Sequence, residues 1–396
     1  MQSSKLRQTL FPSAWQDQSR RGRHWAGEDQ MNRYFFYNFM LVSLMNLMLF
    51  VPHILVSNRY SGAVASLLVA PVIGAILIYM FTNAMSRYPG LGFQDILKLH
   101  CPRWLVSLSS IFFAVMWWFS STIVVVAYAV LINRFFNPDT NSTIILIVLV
   151  VAAAYAASRS TLTINFIIEI TIIVNAPIIL FILFKMVRSP QLNLDSIRVV
   201  ANYVTKMPTI ITISAATLIF TGYIYLALYN RLLPPNFRFK HLYIYPVLGF
   251  IILVITFFVP IGFHGTEGVD RYIYLWAVTS DSLSMQYGFI ERVVFLFLIV
   301  FLNLTLVYTM SGWHLGMEYI KGCFKGSKPE IDSPKAPLSN YIILGTFATA
   351  TVLYLIFTNE KLNYLITSYW LVLRMFTEIV SVLWIFILSR RRLRSE

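Results

Sequence analysis

Residues 34–57 read YFFYNFMLVSLMNLMLFVPHILVS, a stretch with no Asp, Glu, Lys or Arg, in which Pro52 follows a polar pair at Ser43 and Asn46. A helix crossing a hydrocarbon core of about 30 Å needs on the order of 20 mostly apolar residues, so this stretch is long enough to span a bilayer. Proline lacks the amide hydrogen of the helical ladder and crowds the preceding turn, so the helix is expected to break near Pro52. Residues 208–230, PTIITISAATLIFTGYIYLALYN, repeat the theme: Ser214, Thr217, Thr221 and Gly222 interrupt an apolar run. Non-helical backbone at membrane depth is tolerated only where it faces protein or a water-filled cavity. Two interrupted runs five apart in order are the pattern of an inverted-repeat transporter, whose half-helix ends meet a substrate near the midplane.

Counting outward from these two gives ten apolar runs: 34–57, 62–84, 104–132, 143–157, 164–187, 208–230, 243–264, 290–317, 340–358 and 364–389. They are apolar on all sides and longer than the roughly 10-residue alternating strands of a barrel, so helices are expected. The composition of the 396 residues agrees. The chain is 58% hydrophobic and 12% charged, with a mean hydropathy of +0.68, against roughly 25% charged residues in soluble domains. Disorder and a disulfide scaffold are excluded by the apolar load and by only two cysteines. The net charge of +14 does not indicate nucleic acid, because the basic residues lie between and beyond the apolar runs. Of 31 Lys and Arg, 21 fall on one set of connecting segments, 8 on the other, and Arg292 and Arg374 inside runs. The excess marks the cytoplasmic side, which places both termini inside, as an even number of crossings requires.

The expected organisation is a basic cytoplasmic tail (1–33), a ten-helix membrane domain (34–389) and a basic cytoplasmic C-terminal tail (390–396). No cleavable signal peptide is expected, since the first apolar run is long enough to remain as a span. Cys101 and Cys323 fall on cytoplasmic segments and are expected to be free thiols, and 325–337 reads as a surface linker. Six scattered histidines, with no His-x-x-x-His or Cys-x-x-Cys pair and no phosphate-binding loop, give no support to a metal site, a cofactor or an enzyme.

Ionisable residues within membrane runs are costly and become functional candidates by default. Glu169 lies in the fifth run, Glu291 and Arg292 open the eighth, and Arg374 and Glu378 stand one helical turn apart in the tenth. The last two can neutralise each other on one helix face or mark an ion pathway. Glu169, with no sequence-adjacent partner, is either a proton-coupling group or a hydrogen-bonded interior carboxyl.

Several motifs carry a resemblance. Arg87-Tyr88-Pro89-Gly90 and Phe93-Gln94-Asp95-Ile96 follow the second run, and Phe220-Thr221-Gly222-Tyr223 sits in the sixth. Phe263-His264-Gly265 ends the seventh, and Phe289-Ile290-Glu291-Arg292 starts the eighth. In these motifs, and in the order of its runs over about 34–389, the chain resembles the spore germination permeases. These are the B subunits of endospore germinant receptors, within the amino acid–polyamine–organocation superfamily. It departs from that pattern where Ser43-Leu44-Met45-Asn46 lacks a glycine, where Phe166 replaces an arginine before Glu169, and at Tyr274-Leu275-Trp276.

The resemblance implies an all-α integral membrane protein of ten transmembrane helices, a 5+5 inverted repeat (LeuT/APC-like) with broken helices 1 and 6. It further implies a subunit of the spore inner membrane that binds a small nutrient, often an amino acid. Its partners would be an A-type membrane subunit and a C-type lipoprotein. On this reading the ligand contacts are Ser43, Asn46, Ser214, Thr217, Thr221 and Gly222, with Trp117 and Tyr308 as walls. The half-helix N-termini would hold a carboxylate through free N–H groups. Glu169, Asn303 and Thr305 are the candidates for ion or proton coupling. Two other readings use the same bundle: an ion-coupled secondary transporter of amino acids or amines, and a scaffold that binds nothing.

Overall fold

The computed structural model describes residues 28–136, 138–234, 237–284, 292–324, 329–332 and 335–395. The tail residues 1–27, the motif residues Phe289–Glu291 and linker residues 325–328 lie outside them. The described residues form helices and connecting turns, with one isolated bridge between Ser284 and Arg292. The helices are α1 (Glu28–Met45), α2 (Val51–Ser57), α3 (Ala63–Ser86), α4 (Phe93–His100), α5 (Arg103–Phe135), α6 (Ser142–Ala157) and α7 (Thr161–Val187). They continue with α8 (Leu194–Ala201), α9 (Ile210–Leu232), α10 (Ile244–Gly268), α11 (Leu275–Asp281), α12 (Val293–Lys321), α13 (Leu338–Phe357) and α14 (Glu360–Ser395).

Eight of these, α3, α5, α7, α9, α10, α12, α13 and α14, are long and apolar enough to cross a membrane. The short α6 has 16 residues, and the first run is divided between α1 and α2. The outer faces carry Leu68, Tyr79, Val148, Leu180 and Tyr369, each more than half exposed. An apolar exterior of that extent is covered by lipid rather than water. The protein is a multi-pass integral membrane protein.

The break in the first run falls between α1 and α2, a few residues before Pro52. Phe50 adopts the left-handed region (φ 57°), an uncommon conformation for a bulky residue. Pro52 then occupies the first turn of α2, where its missing N–H costs no ladder bond. Proline therefore starts the new helix rather than kinking the old one. Within the break, Met48 N–H donates to Met45 O at 3.0 Å, and Val51 N–H to Asn46 O at 3.3 Å. The Asn46 amide nitrogen donates to Ser43 O, closing the end of α1.

The sixth run behaves differently. It is expected to break, but α9 continues as one rod that tightens into a 3₁₀ helix over Leu218–Tyr225. Two hydroxyls bond back three residues, Thr217 Oγ1 to Ser214 O at 3.1 Å and Thr221 Oγ1 to Leu218 O at 2.8 Å. Threonines that bond to nearby carbonyls compete with the α ladder, and the tighter i+3 pattern fits the same spacing. Gly222 lets α9 lie directly on α1: a Cβ there would stand 2.7 Å from Asn38 O and closer still to Phe39 Cα. Phe220, on the opposite side, fills a notch formed by Gly74 of α3 and Gly249 of α10. Small residues at such crossings allow the close approach that membrane helices use in place of a hydrophobic driving force.

Candidate functional site

Around the tightened segment of α9 lies a cavity whose empty space, counted together with its open mouth, comes to about 730 Å³. Seven elements build it. Val42 comes from α1, Phe81 from α3, Phe113, Trp117 and Ser120 from α5, Thr221 from α9, Tyr308 and Tyr319 from α12, and Phe93 from α4 closes one end. The longest contribution is from α14: Trp370, Arg374, Thr377, Glu378, Ser381 and Val382 recur at helical spacing and so share one face. Aromatic rings dominate the walls; Trp117 and Tyr225 meet at 4.8 Å between centroids. Tyr308 Oη and Ser120 Oγ share a hydrogen bond of 2.7 Å.

The polar side of the cavity is an ion pair. Arg374 Nη1 donates to Glu378 Oε2 at 2.6 Å, and Tyr223 Oη donates to Glu378 Oε1 at 2.6 Å. The second guanidinium nitrogen donates to Ser214 O at 2.7 Å and Thr217 Oγ1 at 2.8 Å. Both ionic side chains are buried. Burying two charges is costly unless geometry and further hydrogen bonds compensate, and here α9 supplies those bonds. Two donors on α14, Arg374 Nε–H and Trp370 Nε1–H, are sealed within the protein without a partner.

Of the expected ligand contacts, the fold brings Trp117, Thr221 and Tyr308 to this cavity. Ser214 and Thr217 stand behind it, holding Arg374. Ser43 donates to Ile219 O at 2.8 Å, tying the end of α1 to α9. Gly222 faces the α1 backbone rather than open space. Asn46 lines a separate apolar cavity with Leu47, Ile182, Ile252, Trp276, Val300 and Phe301, and its buried Oδ1 has no partner. Of the two half-helix N-termini expected to hold a carboxylate, the sixth run forms none, since α9 is unbroken, and α2 begins at Val51, whose amide donates to Asn46 O.

The coupling candidates lie outside the main cavity. Glu169 pairs at 3.6 Å with Arg33 of α1. Asn303 donates to Asn175 Oδ1 at 3.2 Å, and the buried Thr305 Oγ1 has no partner. The eighth-run residue Arg292 pairs with Asp281.

Sequence reading passes over α14 as a wall of the site and Tyr223 as a ligand of Glu378. The signal that finds the first is the spacing of Trp370, Arg374, Thr377, Glu378 and Ser381. Sequence also leaves unread the charged plug beside the cavity. Arg231 bonds Asp95 at 2.8 Å and Glu318 at 3.0 Å, while Lys321 bonds Glu330 at 2.9 Å. A small void at this plug shares Ala227 and Tyr319 with the main cavity. Burial pushes the Asp95 carboxyl up, but the Arg231 guanidinium and its hydrogen bonds outweigh this and hold it below the ordinary carboxylate value.

A family model described as spore germination protein (spore permease) matches residues 35–331. No curated protein matches the chain. Among solved structures, the fold is similar to Mhp1, a nucleobase-cation-symport-1 family transporter, in a closed conformation with bromovinylhydantoin bound. The TM-score is 0.50 at 15% sequence identity, covering 83% of this chain and 74% of that one. At that identity the likeness is one of fold alone.

Proposed function

The chain belongs to the spore permease family of spore germination proteins, and from that premise we propose that it is the nutrient-binding membrane subunit of a germinant receptor. The ligand is a small nutrient, an amino acid in the first instance. Binding it biases the bundle between two packings and so triggers germination with an A-type membrane subunit and a C-type lipoprotein. The ten-crossing, five-plus-five arrangement with both termini in the cytoplasm belongs to the same proposal, as does residence in the spore inner membrane. One observation carries the reading: an aromatic cavity with a buried polar side, built from α1, α5, α9, α12 and α14 where α9 tightens into 3₁₀. A ligand shifts such an equilibrium only by its differential affinity for the two states, and a hydroxyl-bonded 3₁₀ segment is a local element with two ready geometries.

The test uses spores whose own nutrient receptors are deleted and which carry this gene with those of its two partners. Thr221→Trp fills the cavity from a residue whose side chain otherwise bonds only to Leu218 O. The nutrient response is expected to fall at least tenfold, with the amount of protein in the membrane unchanged. An unaltered response removes the cavity from the account.

An ion-coupled secondary transporter of amino acids or amines is the second reading. It is favoured by the fold likeness to a symporter and by the buried Thr305 hydroxyl, which has no partner. Nutrient uptake into proteoliposomes that collapses with the ion gradient distinguishes it from a receptor that binds without net transport.

A further inference from the structure

The second cavity, beside Asn46, lies where two membrane-crossing helices stand apart. α7 packs on α1 and α12, whereas α10 packs on α3 and α8. Ile182 and Leu183 of α7 and Ile252 and Ile255 of α10 all line the cavity between them. The remaining walls include Leu44 of α1, Leu47 of the turn after it, Trp276 of α11 and Phe297 of α12. Leu44, Leu47, Leu183, Ile252 and Ile255 each keep accessible surface.

The two stripes that line the cavity continue onto the lipid-covered exterior. Leu180, one turn before Leu183, is 65% exposed, and Ile251, one turn before Ile255, is 48% exposed. Residues three or four apart are neighbours on a helix surface, so the mouth of the cavity lies between α7 and α10 and faces the bilayer. Its depth follows from the helix positions. Leu44 and Leu47 stand at the middle of the first apolar run and Ile255 at the middle of α10. Leu183 and Phe297 lie about one turn from the C-terminal end of α7 and the N-terminal end of α12. The cavity therefore runs from the midplane toward one face, a depth of about 15 Å in a hydrocarbon core of about 30 Å.

Its lining is apolar apart from Asn46 and Thr256. The indole N–H of Trp276 is taken by Thr256 O at 3.2 Å, and the Asn46 amide nitrogen by Ser43 O. A chamber walled by aliphatic and aromatic side chains stays dry, and left empty it deprives those side chains of dispersion contacts. Hydrocarbon is the material available at this depth. An acyl chain reaches from headgroup to midplane, which is the extent of the cavity, whereas a span of a partner protein crosses both halves of the bilayer.

We propose that the groove between α7 and α10 is a lipid site. One acyl chain of a bilayer phospholipid enters between the two helices and ends against Leu44 and Leu47, at the turn that separates α1 from α2. The chain fills the space behind the break in the first span. This site shares no lining residue with the cavity beside α9 and does not depend on what that cavity binds.

The test reconstitutes the full chain in phosphatidylcholine vesicles doped with a phosphatidylcholine that carries a diazirine near the end of one acyl chain. After photolysis, labelled residues are mapped by mass spectrometry. Leu44 and Leu47 are expected to be labelled at least as strongly as Val148 and Tyr369 of the lipid-facing exterior. Ile255→Trp fills the groove and is expected to lower labelling of Leu44 and Leu47 at least tenfold while Val148 and Tyr369 stay unchanged. Leu183→Trp is a second filling variant with the same expected result, and Leu180→Trp, outside the groove, is expected to change nothing.

A wild type in which Leu44 and Leu47 are unlabelled overturns the proposal, and that result needs neither variant to fold. Labelling that both filling variants leave unchanged overturns it as well. If the groove is unlabelled and the chain is a dimer that Ile255→Trp separates, the occupant is a second copy and the lipid site is likewise overturned.

Discussion

Replacing Glu378 by leucine, with Arg374 left in place, is expected to destabilise the protein by roughly 3–5 kcal/mol, the cost of an uncompensated buried charge. The guanidinium keeps Ser214 O and Thr217 Oγ1 but loses its carboxylate partner, and Tyr223 Oη loses its acceptor at the same time. The damage is not confined to α14, because these bonds fasten α14 to α9. The converse substitution, Arg374→Met alone, leaves Glu378 with only a tyrosine hydroxyl, and a carboxyl so placed can take up a proton, which lowers the cost. The asymmetry between the two single variants is itself a prediction. Thermal denaturation in detergent is expected to rank the wild type and the double variant Arg374→Met/Glu378→Leu highest, since buried pairs often tolerate replacement by apolar residues of similar size, with Arg374→Met next and Glu378→Leu lowest. Equal stability of all four would mean that water reaches the pair freely.

Gly222→Val is expected to be the most damaging single change on α9. The atoms that a Cβ would strike, Asn38 O and the Phe39 backbone, belong to a helix and cannot rotate away as a side chain can. Overpacking in a close-packed core costs typically 1–3 kcal/mol and occasionally more, and a clash with backbone belongs at the upper end. Val in place of the neighbouring Thr221 removes one hydroxyl bonded to Leu218 O and is expected to cost about 1 kcal/mol or less. The contrast in membrane yield and thermal stability between the two positions separates packing from ligand contact. A lost nutrient response at Gly222 reports the α1–α9 crossing, whereas one at Thr221 with normal stability reports the cavity.

The fold is largely legible in the sequence because its dominant cause is simple. Long uncharged runs must become helices in a bilayer, and Pro52 announces the first break. What the sequence does not reveal is how each interruption is resolved. Thr217 and Thr221 suggest a rupture in α9, yet each hydroxyl satisfies a carbonyl three residues back, and the rod tightens without opening. Gly222 looks like freedom for the backbone and is instead a contact surface, a distinction that depends on which helix crosses there. The site is half legible for the same reason. Trp117, Thr221 and Tyr308 can be picked out as aromatic or hydroxyl-bearing residues of the third, sixth and eighth runs. Arg374 and Glu378 read as a pair that silences itself within one helix, since the bonds from Tyr223, Ser214 and Thr217 that turn the pair toward a cavity come from residues more than a hundred positions away. Arg33 likewise cannot be matched to Glu169 before the first and fifth runs are known to touch.

The central claim, that the chamber beside the 3₁₀ segment of α9 is where the nutrient sits, is tested most directly by a thiol placed in it. In a chain carrying Thr221→Cys, with Cys101 and Cys323 replaced by serine, reaction with methyl methanethiosulfonate is followed with and without the amino acid that most stabilises the wild type. The account predicts a reactive thiol that the amino acid protects, slowing modification at least tenfold at saturation. A modification rate that saturating ligand leaves unchanged would contradict it, and would place the ligand elsewhere in the bundle.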